Sequence, residues 1–161
     1  MTEPSLRSTF VPAGFLPPGA LDTDLFRLRP LGPEHNASDY EAWTSSMDHI
    51  HRTPGFGTGD WPRAMTIAEN RGDLARHARD FAAREGFTYT VLAPMSDEVI
   101  GCVYVYPAEG GRGATVSSWV RERDAHLDGP LYLAVSGWLA REWPFERVAY
   151  EAREPKLPPG A

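Results

Sequence analysis

The chain has 161 residues, 42% hydrophobic and 24% charged, which is enough for one domain with one sizeable core. Its net charge of -6 argues against a nucleic-acid-binding protein, because gripping a phosphate backbone requires clustered Lys and Arg. A lone Cys102, no signal-peptide-like apolar core and no apolar run of membrane-spanning length predict a cytoplasmic protein without a membrane span.

The N-terminal segment is rich in proline, which resists both helix and central strand. We therefore expect an extended arm over residues 1–24, packed on the body or on a neighbouring chain. Its expected anchors are Phe10, Val11, Phe15 and Leu16. The domain proper is predicted over residues 25–152 and begins with a half-buried strand, LFRLRPL, at 25–31. Residues 153–161 are predicted to form a C-terminal tail.

Two helices follow, each predicted to start at a capping-box pattern. The Ser-x-x-Glu spacing at Ser38 opens a first helix that continues to about residue 50, with its apolar residues on one face. The Thr-x-x-Glu spacing at Thr66 opens a second helix that ends near Glu85.

The stretch HRTPGFGTGDWP, residues 51–62, is interrupted repeatedly by Gly and Pro and is predicted to be a long loop. Loops of this length inside a compact domain are typically binding loops or disordered. We expect this one to be ordered, with Phe56 and Trp61 as substrate-binding residues lining a cleft. In the alternative interpretation, the two aromatic residues only pin the loop to the core.

From residue 87 the apolar period changes to two, which indicates strands. FTYTVLA, VIGCVYVYP and ATVSSWVR are joined by short turns, so they are predicted to form an antiparallel meander. A helix over 129–143 and a last strand, FERVAYEAR, complete the chain. The order predicts an α+β fold with helices packed on a mixed, mostly antiparallel sheet.

This order, with a strand, a turn and a helix after the third meander strand, resembles the GNAT superfamily of acyl-CoA-dependent N-acyltransferases. The resemblance covers residues 25–152 and is supported by the runs VIGCVYVYP and SWVRERDAHLDGPLYLAV. It implies transfer of an acyl group from acetyl-CoA or another acyl-CoA to a small-molecule or peptide amine. In the family, the loop entering this helix reads Arg or Gln, two residues, Gly, any residue, then Gly or Ala, and its backbone N–H groups hold the CoA pyrophosphate.

Here that loop reads His126-Leu127-Asp128-Gly129-Pro130-Leu131, which keeps only the central Gly. Pro130 has no N–H, and Leu131 is branched where the family has at most a methyl group. Asp128, as the expected N-cap, would place a carboxylate where the phosphate binds. Arg121 and Arg123 could compensate through their side chains. These departures leave open a second function, a non-catalytic domain that binds a ligand or a protein partner.

Acyl transfer to an amine needs a base and hydrogen-bond donors. His49 and His51, at the end of the first helix, are candidate bases, and Tyr104 is a further candidate catalytic residue. A structural interpretation of the two histidines, as favourable charges at a helix C-terminus, stays open. No third ligand follows with a recognisable spacing, so no metal site is expected.

The resemblance also implies that the third meander strand pairs with the pantetheine arm of CoA. The candidate cofactor-binding residues are Ser118, Trp119, Val120, Arg121, Arg123, His126, Gly129 and Leu131. Alternatively, Trp119 is a core aromatic and Arg121 a solvated strand end. The family normally adds a helix and two strands after the last strand matched here. We therefore expect the sheet to close through a partner chain, through the N-terminal arm or not at all. An exposed sheet edge favours a homodimer.

Overall fold

The computed structural model describes residues 10–110 and 113–153. Residues 1–9 of the expected arm and the expected tail beyond Arg153 lie outside the described residues. Six strands form one sheet in chain order: β1 (Leu21–Asp22), β2 (Arg27–Pro30), β3 (Phe87–Leu92), β4 (Val99–Pro107), β5 (Ala114–Val120) and β6 (Val148–Tyr150). Neighbours are antiparallel except β5 and β6, which are parallel.

Four helices pack on this sheet: α1 (Asn36–Thr44), α2 (Met47–His51), α3 (Ile67–Ala82) and α4 (Asp128–Glu142). Short 3-10 turns precede α1, at Pro33–His35, and α4, at Glu122–Leu127. The predicted α+β fold with a mixed, mostly antiparallel sheet is confirmed. The predicted capping box at the start of α3 is also confirmed, since Thr66 and Glu69 exchange hydrogen bonds of 2.9 and 3.0 Å.

The predicted single helix over 38–50 is divided into α1 and α2. The break falls at Ser45 and Ser46, whose hydroxyl groups bond to Ala42 O and accept from the backbone N–H of Glu122. Such local bonds compete with the helical ladder. The predicted cap at Ser38 is wrong: α1 begins earlier, and Ser38 Oγ instead accepts a 2.8 Å hydrogen bond from the N–H of Val99.

The sheet separates two apolar cores, because alternate residues of a strand point to opposite faces. Phe87, Tyr89 and Val91 of β3 pack in the core that also contains residues of α4. The other core lies under α1 and α3 and includes Cys102, whose thiol pKa is raised by burial. A buried thiol whose pKa is raised in this way is unreactive.

The segment before β1 lies against the first core. Val11 is 1% exposed, and the phenol of Tyr89 donates a 2.6 Å hydrogen bond to Pro18 O. Phe10 and Phe15 pack against the same core, but Leu16 is 83% exposed and is not an anchor. The segment then supplies β1, so it extends the sheet beside β2. None of the described helices is long and apolar enough to cross a membrane.

Candidate active site

A cavity of about 580 Å³ lies on the face of the sheet that α1 and α3 cover. Its walls come from α1, the loop over residues 52–66, α3, β4 and β5. Aromatic rings form one part of the lining: Phe56, Trp61 and Tyr104. Titratable groups form another: Asp39, Asp60, Arg63, Asp73, Arg76 and His77. The cavity therefore combines apolar surface with a few convergent polar groups, as small-molecule sites do.

Asp39 is the buried carboxylate of this cavity, with 4% of the residue exposed. Its Oδ2 accepts a 3.0 Å hydrogen bond from Nδ2 of Asn70, and Asn70 is held in turn by Trp43 and Asn36. Burial raises the Asp39 pKa to about 6, against the lowering effect of the Asn70 bond. Oδ1 makes no hydrogen bond among the described residues, and Asp39 is one of the residues that line the cavity.

His77 is a second polar group of the lining. Its Nδ1 lies 3.0 Å from both the Tyr106 hydroxyl and Thr88 Oγ1, and Tyr106 donates a 2.8 Å hydrogen bond to Asp80. Because Tyr106 uses its proton on Asp80, its oxygen is free to accept from His77 Nδ1–H. Burial lowers the His77 pKa to about 4, so the imidazole is neutral at physiological pH.

The aromatic wall of the cavity is continuous. The Phe56 ring lies 5.9 Å from that of Trp61 and 6.1 Å from that of Tyr104, measured between centroids. The Tyr104 hydroxyl accepts a 3.0 Å hydrogen bond from Trp119 Nε1. Burial raises the Tyr104 pKa well above its usual value, so the phenol keeps its proton.

Three residues predicted for catalysis or substrate binding, Tyr104, Phe56 and Trp61, are brought together in this cavity. His49 and His51 are not among its lining residues. His51 Nε2 lies 2.6 Å from Pro62 O and Nδ1 3.3 Å from Phe56 O, so this ring holds the loop in place. Within residues 10–110 and 113–153, no three potential His, Cys, Asp or Glu metal ligands converge.

The sequence pattern does not single out Asp39, Asn70 or His77. Asp39 lies inside the Ser-x-x-Glu spacing at Ser38, which predicts a helix start and not a site residue. Asn70 and His77 are seven residues apart, two helical turns, on the same stripe of α3 as Leu74. Polar residues within an otherwise buried stripe were the signal that could have revealed them.

The edge of the sheet at β5 and β6 is the second region where a ligand is expected. These strands pair over Ala114–Val116 and Val148–Tyr150, where β6 ends. Beyond β6, Arg153 contacts both β5 and α4: its Nη2 donates to Ser118 O at 2.8 Å, and its Nε donates to Asp128 Oδ2 at 2.7 Å. The Tyr150 hydroxyl also lies 2.5 Å from Ser118 Oγ.

The predicted N-cap role of Asp128 is wrong. The 3-10 turn over Glu122–Leu127 continues directly into α4, and the Asp128 N–H already donates to Ala125 O. The Asp128 carboxylate makes no capping bond and instead accepts from Arg153. The carboxylate does lie at this end of the helix, as expected, but an arginine neutralises it.

The predicted cofactor-binding residues divide into two groups. Trp119, Val120 and Leu131 are buried side chains of the two cores, so only their backbone groups could meet a ligand. Ser118 is also buried, and its carbonyl points away from β4 and accepts from Arg153 Nη2. Val120 faces the same way, because alternate residues of β5 point their backbone groups away from β4. Trp119 is thus a core aromatic, as the alternative interpretation held.

The remaining predicted cofactor residues lie around the 3-10 turn. Arg121 is 4% exposed and holds Glu41 through two hydrogen bonds of 2.7 and 3.1 Å, so it is not a solvated strand end. Arg123 is ion-paired with Glu98. His126 is exposed, and space is open beside Gly129.

These contacts test the fit of an acyl-CoA. The backbone groups of Ser118 and Val120 could bond to its amide arm only where Arg153 Nη2 releases the Ser118 carbonyl. Its diphosphate does not fit the start of α4, where the Asp128–Arg153 pair lies and the first N–H is already bonded. The start of α4 thus offers no phosphate cradle.

The sheet and the helices packed on it have the GNAT fold. Solved structures of acetyltransferases show the same architecture. The ribosomal alpha-N-protein acetyltransferase RimL matches 85% of this chain and 76% of its own, with TM-score 0.64 and 15% identity. The GNAT domain of PAT from S. lividans matches over 83% and 78%, with TM-score 0.59 and 19% identity.

A third solved structure is the microcin self-immunity acetyltransferase MccE in complex with acetyl-CoA and AMP. It matches over 78% of this chain and 67% of its own, with TM-score 0.62 and 12% identity. At such identities the likeness establishes the fold alone. No protein-family model matches the chain, and no curated protein shows significant similarity to it.

Proposed function

We propose that this protein is an N-acyltransferase that transfers an acyl group from acetyl-CoA or another acyl-CoA to a primary amine of a small molecule or peptide. The observation that carries the proposal is the Asp39 carboxylate, buried, held by Asn70 and open to the cavity. The cavity reaches Ser117 of β5, the strand whose backbone at Ser118 and Val120 would meet the donor arm. The acetyltransferase neighbours of the same fold support the reaction class.

Asp39 accepts the proton that the ammonium form of the substrate must lose before its nitrogen can react. Moving a proton from an amine of pKa near 10.4 to an ordinary Asp costs about 9 kcal/mol, and a carboxylate of pKa about 6 lowers this to about 6 kcal/mol. The carboxylate is still ionised at neutral pH and attracts the ammonium. Its raised pKa thus serves proton transfer without removing the charge.

The aromatic wall gives the substrate a second contact. Phe56, Trp61 and Tyr104 border the same space as Asp39, and the face of an aromatic ring attracts a cation. The Tyr104 phenol, which keeps its proton, is available as a hydrogen-bond donor. The thioester of the donor supplies the acyl group. The role of this chain is to bind, orient and deprotonate the amine.

We also propose the predicted homodimer. β6 is an edge strand of three residues, and Val148 on it is 39% exposed. An open edge of this kind invites pairing with a second strand. Light scattering of the native protein tests it, and a monomer at all concentrations contradicts it. The cytoplasmic location predicted from the lone Cys102 stays a prediction.

The proposed function is tested with acetyl-CoA and a panel of alkylamines, arylalkylamines and short peptides with free N-termini. The expected product is an acetylated amine, identified by its mass gain, with release of one free thiol per product. Alcohols of the same shapes are the matched controls and should remain unmodified. A protein that binds the thioester but acylates no amine contradicts the proposal and favours the non-catalytic alternative.

A further inference from the structure

The start of α4 is occupied by an internal ion pair. Asp128 and Arg153 are 2.7 Å apart, and their side chains are 22% and 5% exposed. Asp128 Oδ1 is buried and has no partner among the described residues. The positive end of a helix therefore already faces a carboxylate, and an arginine already neutralises that carboxylate.

The backbone donors at this helix end are depleted as well. The N–H of Asp128 bonds to Ala125 O, and Pro130 has no N–H to give. Anion binding at a helix start depends on several free N–H groups pointing at the ligand. The 3-10 turn that leads into α4 removes the first of them.

The arginines around this end are paired too. Arg121 holds Glu41 and Arg123 holds Glu98, while Arg153 holds Asp128. A diphosphate would have to break one of these pairs and would bring new negative charge beside Asp128. Two like charges in close contact repel each other, and the repulsion is stronger near a protein than in bulk water. This end of the sheet therefore disfavours a diphosphate.

The backbone of β5 offers a different kind of contact. Arg153 uses separate nitrogen atoms for its two main contacts, Nε for Asp128 and Nη2 for Ser118 O. An amide N–H of a donor arm can take the place of Nη2 on the Ser118 carbonyl while the ion pair stays intact. The β5 backbone can thus bind an amide group without breaking the Asp128–Arg153 pair.

We propose that the donor site recognises the amide-bearing pantetheine arm of an acyl thioester and makes no use of a diphosphate, whose place the Asp128–Arg153 pair takes. The inference rests on the proposed function and names its donor class. A pantetheine thioester without the nucleotide is then as good a donor as the corresponding acyl-CoA.

The test compares CoA with pantetheine, and acetyl-CoA with S-acetylpantetheine, on the native protein. Calorimetry should give the two thiols dissociation constants within about threefold of each other, nearly independent of salt, because a diphosphate contact would be salt-sensitive. The transfer rates with acetyl-CoA and with S-acetylpantetheine should agree within the same factor. CoA binding at least thirtyfold tighter than pantetheine overturns the inference and leaves the proposed function standing. Binding of neither thiol overturns both.

A variant tests the role of the ion pair. Asp128→Asn removes the carboxylate and frees the Arg153 guanidinium for phosphate, so CoA binding should strengthen about tenfold while pantetheine binding stays unchanged. Asp97→Asn is the matched control, because Asp97 also pairs with an arginine, Arg27, on an exposed surface. An unchanged ratio of the two affinities in a folded Asp128→Asn protein contradicts the inference. The comparison on the native protein stands even if this variant does not fold.

Discussion

Asn70 on α3 donates a hydrogen bond to Asp39 on α1, with 3.0 Å between Nδ2 and Oδ2. The same Asn70 accepts a 3.0 Å hydrogen bond from Trp43 Nε1, so its amide cannot turn without breaking a buried contact. One carboxylate oxygen is thereby fixed against the protein, and the other is left to the cavity. Two helices separated by a long loop thus position a single acidic group.

Asp39→Asn should lower the rate of amine acylation at least about 100-fold, because general-base catalysis contributes about 10²–10⁴. The Asn carbonyl still accepts from Asn70, so the fold is retained. Asp73→Asn is the matched control: Asp73 lines the same cavity but is partly exposed and lies 3.8 Å from Arg76. We expect it to stay within about threefold of the native rate.

The native rate should also rise with pH through about 6, the pKa of Asp39, since only the ionised carboxylate accepts a proton. This rise in rate should be missing from the pH profile of Asp39→Asn. Asp39 is not the base if Asp39→Asn and Asp73→Asn lose equal amounts of acylation rate. The same conclusion follows if Asp39→Asn keeps the pH profile of the native protein.

The stability of the protein should also depend on pH through the raised pKa of Asp39. Burial raises the Asp39 pKa from 3.8 to about 6, so the folded state binds a proton that the unfolded state has lost between these pH values. Native stability therefore falls as pH rises through that window, by up to about 3 kcal/mol. Asp39→Asn should be more stable than the native protein at pH 7.5 and nearly equal to it at pH 3.5. Urea unfolding at both pH values measures this, and a pH-independent difference contradicts it.

Trp61→Ala should weaken amine binding about tenfold, because loss of a ring–cation contact removes about 0.5–2 kcal/mol. The maximal rate should change less, since Asp39 is untouched. Trp61→Phe retains an aromatic face and should recover most of the affinity. Steady-state kinetics with saturating donor separate the two effects. A large fall in maximal rate with unchanged KM would place Trp61 outside the substrate contact.

Gly101→Ala should destabilise the protein, because a Cβ at this position would lie 2.1 Å from the Trp119 carbonyl oxygen on the neighbouring strand. The β4–β5 pair, which also supplies Tyr104 and Ser117 to the cavity, must then move apart. Gly72→Ala in the interior of α3 is the contrasting control, since nothing lies within 4 Å of its Cβ, and it should stabilise by about 1 kcal/mol. Thermal unfolding measures both, and a stable Gly101→Ala variant would contradict the close approach.

The local sequence pattern was sufficient to predict the order of the strands and helices. Period-two runs marked β3, β4 and β5, and the Thr66 box marked the start of α3. Gly and Pro marked the loop that carries Phe56 and Trp61. The break between α1 and α2 was not predictable in this way, because Ser46 is held by Glu122, a residue of a distant turn.

The sequence by itself determined the α+β fold, the long aromatic loop and the presence of a carboxylate at the start of α4, because these depend on residues close together in the chain. Only the tertiary structure decided that Asp39 faces a cavity and that Arg153 meets Asp128 and Ser118. Those contacts join residues 25 to 35 positions apart. The burial that raises the pKa of Asp39 follows from how distant elements pack. The contacts of Arg153 follow from the same packing.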